Sequence, residues 1–317
     1  MNEKKEYVKA TSDVFIKYLF GMDTKKSNQL VLSFINAVLQ NTGFPAITKV
    51  IQKNPYNYKE FVDDKESILD IKIEDENHKL YNVEMQSSGG THYRNRALYY
   101  WSKLYASQIK ESVDYETLLP TIGINILNFT LFPELPGYHN FFVITEGKKR
   151  EYTLTDHLII HFLEIPKIKG RGISSKITNW LLYLKSEGQD KDMLKILLES
   201  DEDLKSAHEV YKAFNEDEML REHALAREKT KRDNRHKQTM ARKNGLAEGR
   251  LEGKLEGELK GELKDKHTIL IRLLELKYTL SEDEKKKILS VADFKKLDTA
   301  LDALMFVEDK ESVLKLL

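Results

Sequence analysis

The chain has no cysteine in its 317 residues, which excludes disulfides and thiolate zinc sites and leaves oxygen or imidazole to ligate any metal. It also has no net charge. The 51 Lys and Arg balance 51 Asp and Glu, so the globally basic surface that draws nucleic acid is missing and any such surface must be local. No stretch approaches the roughly 20 uncharged apolar residues that span a bilayer, and MNEKKEYVKATSD at the start lacks the apolar segment of an export signal. The expectation is a soluble, cytoplasmic protein without membrane association. The length exceeds one average domain, so a principal domain with an appendage is expected.

What is present changes period along the chain. DVFIKYLFG and NQLVLSFINAVLQ carry apolar residues at helical spacing, with Gly21 as the stop of the first helix. After Pro45 the pattern becomes short, β-branched and alternating in ITKVIQ, SILDIKIE and KLYNVEMQ, and the turn-like residues 75–78 between the last two predict a hairpin. RNRALYYWSKLYASQIK then reads as a helix and LPTIGINILNF as a strand, with YHNFFVIT and HLIIHFLEI as further strands up to Pro166. The order is α-β-β-β-α-β, an α/β fold with a mixed sheet flanked by helices. An all-α C-terminal region follows. Four segments are expected: residues 1–170, the α/β domain; 171–243, a helical region with a basic segment; 244–266, a glycine and leucine repeat; and 267–317, a small helical module.

The basic segment, residues 221–243, holds nine Lys or Arg against three acids, which reads either as a solvated helix face or as a nucleic-acid contact. In the repeat, glycines stand at 245, 249, 253, 257 and 261 and leucines at 251, 255, 259 and 263. Charges on every turn exclude a membrane helix pair. Each glycine costs a helix about 1 kcal/mol relative to alanine. The repeat is therefore either a flexible linker or a helix whose glycine stripe, with the leucines alongside, lets another helix approach closely and form a homodimer.

The hairpin carries the chemistry. Strand alternation puts Asp70, Lys72 and Glu74 on one face of its first strand and Asn82, Glu84 and Gln86 on one face of its second. A three-residue loop of Glu76, Asn77 and His78, centred on Asn77, sets Asp70 opposite Glu84. Like charges so placed destabilise the pair unless a cation sits between them. The hairpin is then either a solvent-facing charged surface or half of a magnesium site, completed by a backbone carbonyl, substrate phosphate and water.

The run KESILDIKIEDENHKLYNVEMQ resembles the core signature of the Rpn family of recombination-promoting nucleases and transposases, a branch of the PD-(D/E)XK superfamily. DVFIKYLFG is similar to that family's opening helix, RALYYWSKLY to its central helix, and the glycine repeat to its tails. The resemblance implies a PD-(D/E)XK restriction-endonuclease-like core. It makes Asp70 and Glu84 ligands of Mg²⁺, with Mn²⁺ as the alternative, and the main-chain carbonyl of Met85 a third. Gln86 stands where the superfamily has lysine, so it can orient water but supplies no positive charge. Lys72 is either that missing charge or an ordinary strand lysine, and Asp13 either caps its helix or positions a second metal or a water. Arg94 and Arg96 would contact phosphate, with Tyr93 or Tyr100 against a sugar or base. His92 and His161 read as structural, and Glu164 and Lys167 of LEIPK carry no assigned chemistry.

The function implied is metal-dependent endonucleolytic hydrolysis of DNA. The rivals are a nucleic-acid- or partner-binding protein with spent catalytic residues, and a nuclease directed at RNA.

Overall fold

The computed structural model describes residues 6–53, 56–57, 67–68, 71–90, 92–109, 114–169, 174–186, 191–306 and 309–317. They form two compact units, Met1–Thr230 and Lys231–Leu317.

In the first unit, α1 (Asp13–Phe20) and α2 (Lys25–Asn41) open the chain. Thr24 caps α2 by accepting from the Ser27 amide at 3.2 Å, which satisfies one of the amides a helix start leaves without a partner. Six strands then build one mixed sheet: β1 (Val50–Lys53), β4 (Ile71–Asp75), β5 (Leu80–Gln86), β6 (Thr121–Leu127), β8 (Leu158–Glu164) and, at the far edge, β7 (His139–Phe142), in that spatial order. A separate pair, β2 (Tyr56–Asn57) with β3 (Ser67–Ile68), stands before β4. The stretch expected as one strand thus contributes β3 and β4, with residues 69–70 between them outside the described residues. β1, β4 and β5 run antiparallel, whereas β5, β6 and β8 are parallel. A parallel neighbour needs a crossover. That crossover is α3 (Tyr93–Ala106), lying between β5 and β6 in the chain.

The two sheet faces bury different partners. Ile71, Ile73, Tyr81, Val83, Met85, Ile122, Ile124 and Ile126 join one core with Phe15, Phe20 and Phe34 of the opening helices. The same core takes Trp180 and Leu181 from α4 (Lys176–Lys185), Leu197 from α5 (Lys191–Ser200) and Phe214 from α6 (Glu202–Glu216). Phe20 and Phe34 stack at 5.1 Å, and Trp180 meets both edge-on. On the opposite face Tyr93 and Ala97 of α3 pack on Leu127, Leu158, Ile160 and Phe162. This is an α/β fold in which the sheet lies between helices, with a helical C-terminal region beyond it.

α7 (Glu218–Lys277) carries the repeat, and the second unit adds α8 (Glu282–Ser290), α9 (Phe294–Ala303) and α10 (Lys310–Leu314). These helices enclose a small core of Leu270, Leu274, Ile288, Leu297, Ala300 and Val313. The repeat is helical. Residues two apart on a helix point about 200° from each other, so the glycine and leucine stripes lie on opposite sides and the expectation of leucines alongside glycines is corrected. Apart from the backbone of its own helical turn and its chain neighbours, no atom of the described residues comes within 4 Å of where a side chain on any of the five glycines would begin. Leu251, Leu255 and Leu259 are more than half exposed. Among the described residues no helix is long and apolar enough to cross a membrane.

His161 is structural, as its isolation in the sequence suggests. It lies fully buried on β8 between Phe44 and Phe141. Its Nδ1 meets His139 Nε2 at 3.0 Å, and His139 Nδ1 meets Asn41 Oδ1 at 2.7 Å. Because Asn41 presents an acceptor, the chain of bonds closes when both rings are neutral and His161 donates to His139. Burial pushes His139 down to about 4 and, with His139 beside it, His161 down to about 3. The unfolded chain, whose histidines titrate near about 6.5, therefore takes up more protons than the fold below that pH. Stability is full above pH ~6.5 and falls as acid is added, by about 1.4 kcal/mol per histidine per pH unit until the folded-state values are reached. Thermal midpoints of wild type should be level above pH 7 and drop between pH 6.5 and 4.5; His161→Phe should flatten that drop, and an equal drop in the variant would refute the assignment.

Candidate functional site

The site is built from the hairpin upward. Asp75, almost fully buried, ends β4 and accepts from the amides of Asn77 at 2.8 Å and Lys79 at 2.9 Å while Tyr81 donates its hydroxyl at 3.1 Å. His78 takes the left-handed backbone conformation, φ 61°, that closes a three-residue loop. The loop expected from the sequence is the loop observed. It fixes the pairs Glu74 with Leu80, Ile73 with Tyr81, Lys72 with Asn82 and Ile71 with Val83. Asp70, the first expected metal ligand, lies outside the described residues.

β5 sits between β4 and β6, and every residue of it except Gln86 is buried. Glu84 is 1% exposed, on the face covered by α3. Two amides flank its carboxylate on the same face: Asn82 Nδ2 donates to Oε1 at 3.3 Å and Gln86 Nε2 to Oε2 at 3.2 Å. Its parallel neighbour is Asn125 of β6. Asn125 Oδ1 accepts from the Tyr93 hydroxyl at 2.8 Å, and its Nδ2 donates to the His161 carbonyl at 3.1 Å. Tyr93 is therefore a buried prop beneath the site rather than a surface for a base. The side chain of Met85 points into the opposite core.

Lys72 shares the Glu84 face and stands between Lys53 of β1 and Asn82 of β5. Burial, reinforced by Lys53 and opposed by Glu74, holds its amine below the ordinary lysine value. Glu74 itself is drawn into pairs with Lys53 at 2.7 Å and His78 at 2.7 Å. Lys72 and Glu84 thus stand on the same face of neighbouring strands.

α3 brings its first two turns over that face. Arg96 donates from Nε to the Tyr100 hydroxyl at 3.1 Å, and its guanidinium lies 5.0 Å from the Tyr100 ring centre and 5.8 Å from that of Tyr93. Partial burial works against its charge, but Tyr100 and then Glu84 outweigh it and raise its pKa above the ordinary arginine value. Arg94 turns elsewhere. It donates to the Leu131 carbonyl at 2.9 Å, pairs with Glu134 at 3.1 Å and covers the Phe132 ring at 4.4 Å.

Asp13 is the first helical residue of α1; the cap position belongs to Ser12, which corrects the N-cap reading. Its carboxylate meets Arg227 of α7 at 3.3 Å, and α1 packs on the sheet face opposite Glu84. His92 precedes α3 and makes no capping bond from its side chain. Sequence reasoning put Asn82 on this face without a role and missed Asn125. The available signal was a lone asparagine in the otherwise apolar run TIGINIL, a strand buried along its whole length.

Among the described residues no three of His, Asp and Glu gather as a metal cluster. What the polar face does offer suits a hard cation. Glu84 contributes carboxylate oxygens, and the buried Oδ1 of Asn82 has no hydrogen-bond partner, an oxygen lone pair held dry beside a carboxylate. The donor set fits magnesium or manganese and excludes a thiolate metal.

No curated protein and no solved structure matches the chain. A family model described as PD-(D/E)XK nuclease family transposase does match, over residues 10–241. That span takes in α1, the whole sheet, α3 and the helices of the large core. Since it covers well over half the sequence, and since the hairpin with Glu84 and Gln86 on one buried face lies inside it, the chain belongs to the PD-(D/E)XK nuclease family transposases.

Proposed function

We propose that this protein is a divalent-metal-dependent endonuclease that hydrolyses phosphodiester bonds of DNA, with Mg²⁺ as its ion and Mn²⁺ able to replace it. The observation that carries the reading is Glu84: a carboxylate 1% exposed between amide donors, with the orphan oxygen of Asn82 at its side. The sequence pattern of the hairpin is what sets Asp70 opposite Glu84 in this reading. Asp70, Glu84 and the Met85 carbonyl would hold the ion. When bound, the ion polarises the scissile phosphate and makes an attacking water more acidic.

The chain's own residues do the rest. Gln86 gives its N–H to Glu84 and keeps its Oε1 free in valence to accept from the attacking water, orienting it. Lys72, on the same face, would supply the positive charge that Gln86 lacks. Arg96, held by Tyr100, binds the phosphate, and Tyr100 lies against the sugar. Water oxygen bonds phosphorus, the bond to the 3′ oxygen breaks, and that oxygen takes the proton. The products are 5′-phosphate and 3′-hydroxyl ends, which can prime recombination.

A dimer suits cutting of both strands. The exposed leucine stripe at 251, 255 and 259 would pair two copies of α7.

Nicking of supercoiled plasmid should require Mg²⁺ or Mn²⁺, stop with chelator and fall by roughly 10³-fold in Asp70→Ala and Glu84→Ala, both of which should fold. Failure to cut DNA while cutting RNA redirects the substrate. Failure to cut either, with both variants folded, moves the protein to the binding class. Arg96→Ala should weaken duplex binding and lower the salt dependence of log K by about one unit, as loss of one phosphate contact does. Replacing Leu251, Leu255 and Leu259 together by serine should convert a dimer to a monomer in sedimentation equilibrium. A wild-type chain that sediments as a monomer removes the dimer from the account.

A further inference from the structure

Glu164 ends β8 on the same sheet face as Glu84, and its side chain is fully buried. Its carboxylate accepts from the amides of Leu131 at 2.6 Å and Phe132 at 3.0 Å, from Asn140 Nδ2 at 3.4 Å and from Lys167 Nζ at 2.5 Å. Lys167, only one-tenth exposed, also donates to the carbonyls of Phe132 and Leu135, both at 2.6 Å. Removing a charge pair from water costs several kcal/mol per ion unless every valence is used. Here the valences go to one target. Four of these bonds end on the backbone of residues 131–135, the loop that follows β6.

That loop is in turn the seat of the first turn of α3. Leu131 gives its carbonyl to Arg94, Glu134 pairs with the same guanidinium and the Phe132 ring lies beneath it. Just upstream, the Phe129 ring meets Tyr93 edge-on at 6.0 Å. It also fills the space over Gly89, where a β-carbon would fall 2.6 Å from the ring. Tyr93 and Arg94 are both pinned to the loop, and Arg96 stands two residues further along the same turn.

We propose that Glu164 and Lys167 are positioning residues of the nuclease site: their buried ion pair fixes the 129–135 loop against the first turn of α3, and thereby sets where Arg96 stands relative to Glu84. The inference rests on the endonuclease reading for its functional consequence, and the experiment keeps the two apart. The full chain is compared as wild type, Glu164→Gln, Lys167→Met and Glu134→Gln by hydrogen exchange and by steady-state nicking.

In Glu164→Gln and Lys167→Met, exchange should quicken about tenfold both at 129–135 and at 93–97 while 71–86 stays protected. KM for duplex should rise about tenfold with kcat within about twofold, and Arg96→Ala should add nothing to the Glu164→Gln effect. A purely structural role would instead reduce the active fraction at unchanged KM. Glu134→Gln leaves the buried pair intact and so guards against misfolding. Loss of an acid near the substrate path should lower KM on charge grounds alone, whereas loosening of Arg94 should raise it about twofold to threefold. Quickened exchange confined to the loop, an unchanged KM, or additive effects with Arg96→Ala would overturn the proposal. Absence of cutting by wild type would sink the endonuclease reading, and the exchange pattern would still decide whether the pair positions α3.

Discussion

A carboxylate buried in the middle of a sheet is the demand around which the rest of this unit is arranged. An ionised carboxyl taken out of water is costly unless dipoles or charges replace the solvent. Glu84 is 1% exposed, and the strand that carries it spends its neighbouring polar positions on that need. Asn82 and Gln86, each two residues away and so on the same side, donate to its two oxygens. β6 places Asn125 beside it, and Asn125 in turn takes the Tyr93 hydroxyl. β5 satisfies this while turning Tyr81, Val83 and Met85 into the large core on its other side. A slip of one residue would exchange the two sets and bury Glu84 among Phe15, Ile16 and Leu19. The side-chain bonds of Asp75 across its turn are therefore part of the site, although they are made at the far end of the hairpin.

The faces of the sheet divide labour. One is anchored by an aromatic group of Phe20, Phe34 and Trp180, where truncation to alanine costs about 3–5 kcal/mol. The other has a smaller apolar cluster and relies on polar struts: the Glu164 and Lys167 pair, Arg94 on its loop, and Tyr93 on Asn125. Directional bonds hold a geometry more tightly than area does. A face that must present charged groups at set distances is served by such struts, while the apolar face supplies the stability that offsets their desolvation.

Much of this was legible in the sequence because it follows from period. Two helices, the hairpin, the central helix and the later strands appear in the expected order, and the turn chemistry of residues 75–78 predicts the register observed from Ile71 to Glu74. Tertiary partners were not legible. Nothing local says that Arg94 turns toward Leu131 while Arg96 stays over the polar face, since the two residues look alike in RNR and differ only in what they meet, a loop carbonyl for Arg94 and the Tyr100 hydroxyl of its own helix for Arg96. Glu164 and Lys167 could be noticed but not interpreted, because their bonds run to residues about 30 positions earlier. Asp13 fails for a similar reason: helix signals place it at a terminus, but Arg227 lies more than 200 residues away. The repeat misled in a different manner. Its four-residue spacing suggested one composite stripe, whereas the two-residue offset between glycine and leucine puts them on opposite sides.

The glutamine in place of the superfamily lysine follows from the same electrostatic demand. A lysine at position 86 would stand two residues from Glu84 on one face of one strand, close enough to pair with it and neutralise it. Gln86 donates a neutral hydrogen bond instead, and on the proposed reading the carboxylate would then be able to ligate a cation. The positive charge needed for phosphate then has to come from another element. On the proposed reading α3 would supply it through Arg96, which remains protonated at every pH of interest and is braced by Tyr100. On that reading, separating a cation-binding charge on β5 from a phosphate-binding charge on α3 would remove their competition and make the distance between strand and helix a functional quantity. That dependence is why a buried ion pair on β8, with no contact to either group, belongs to the account of the site.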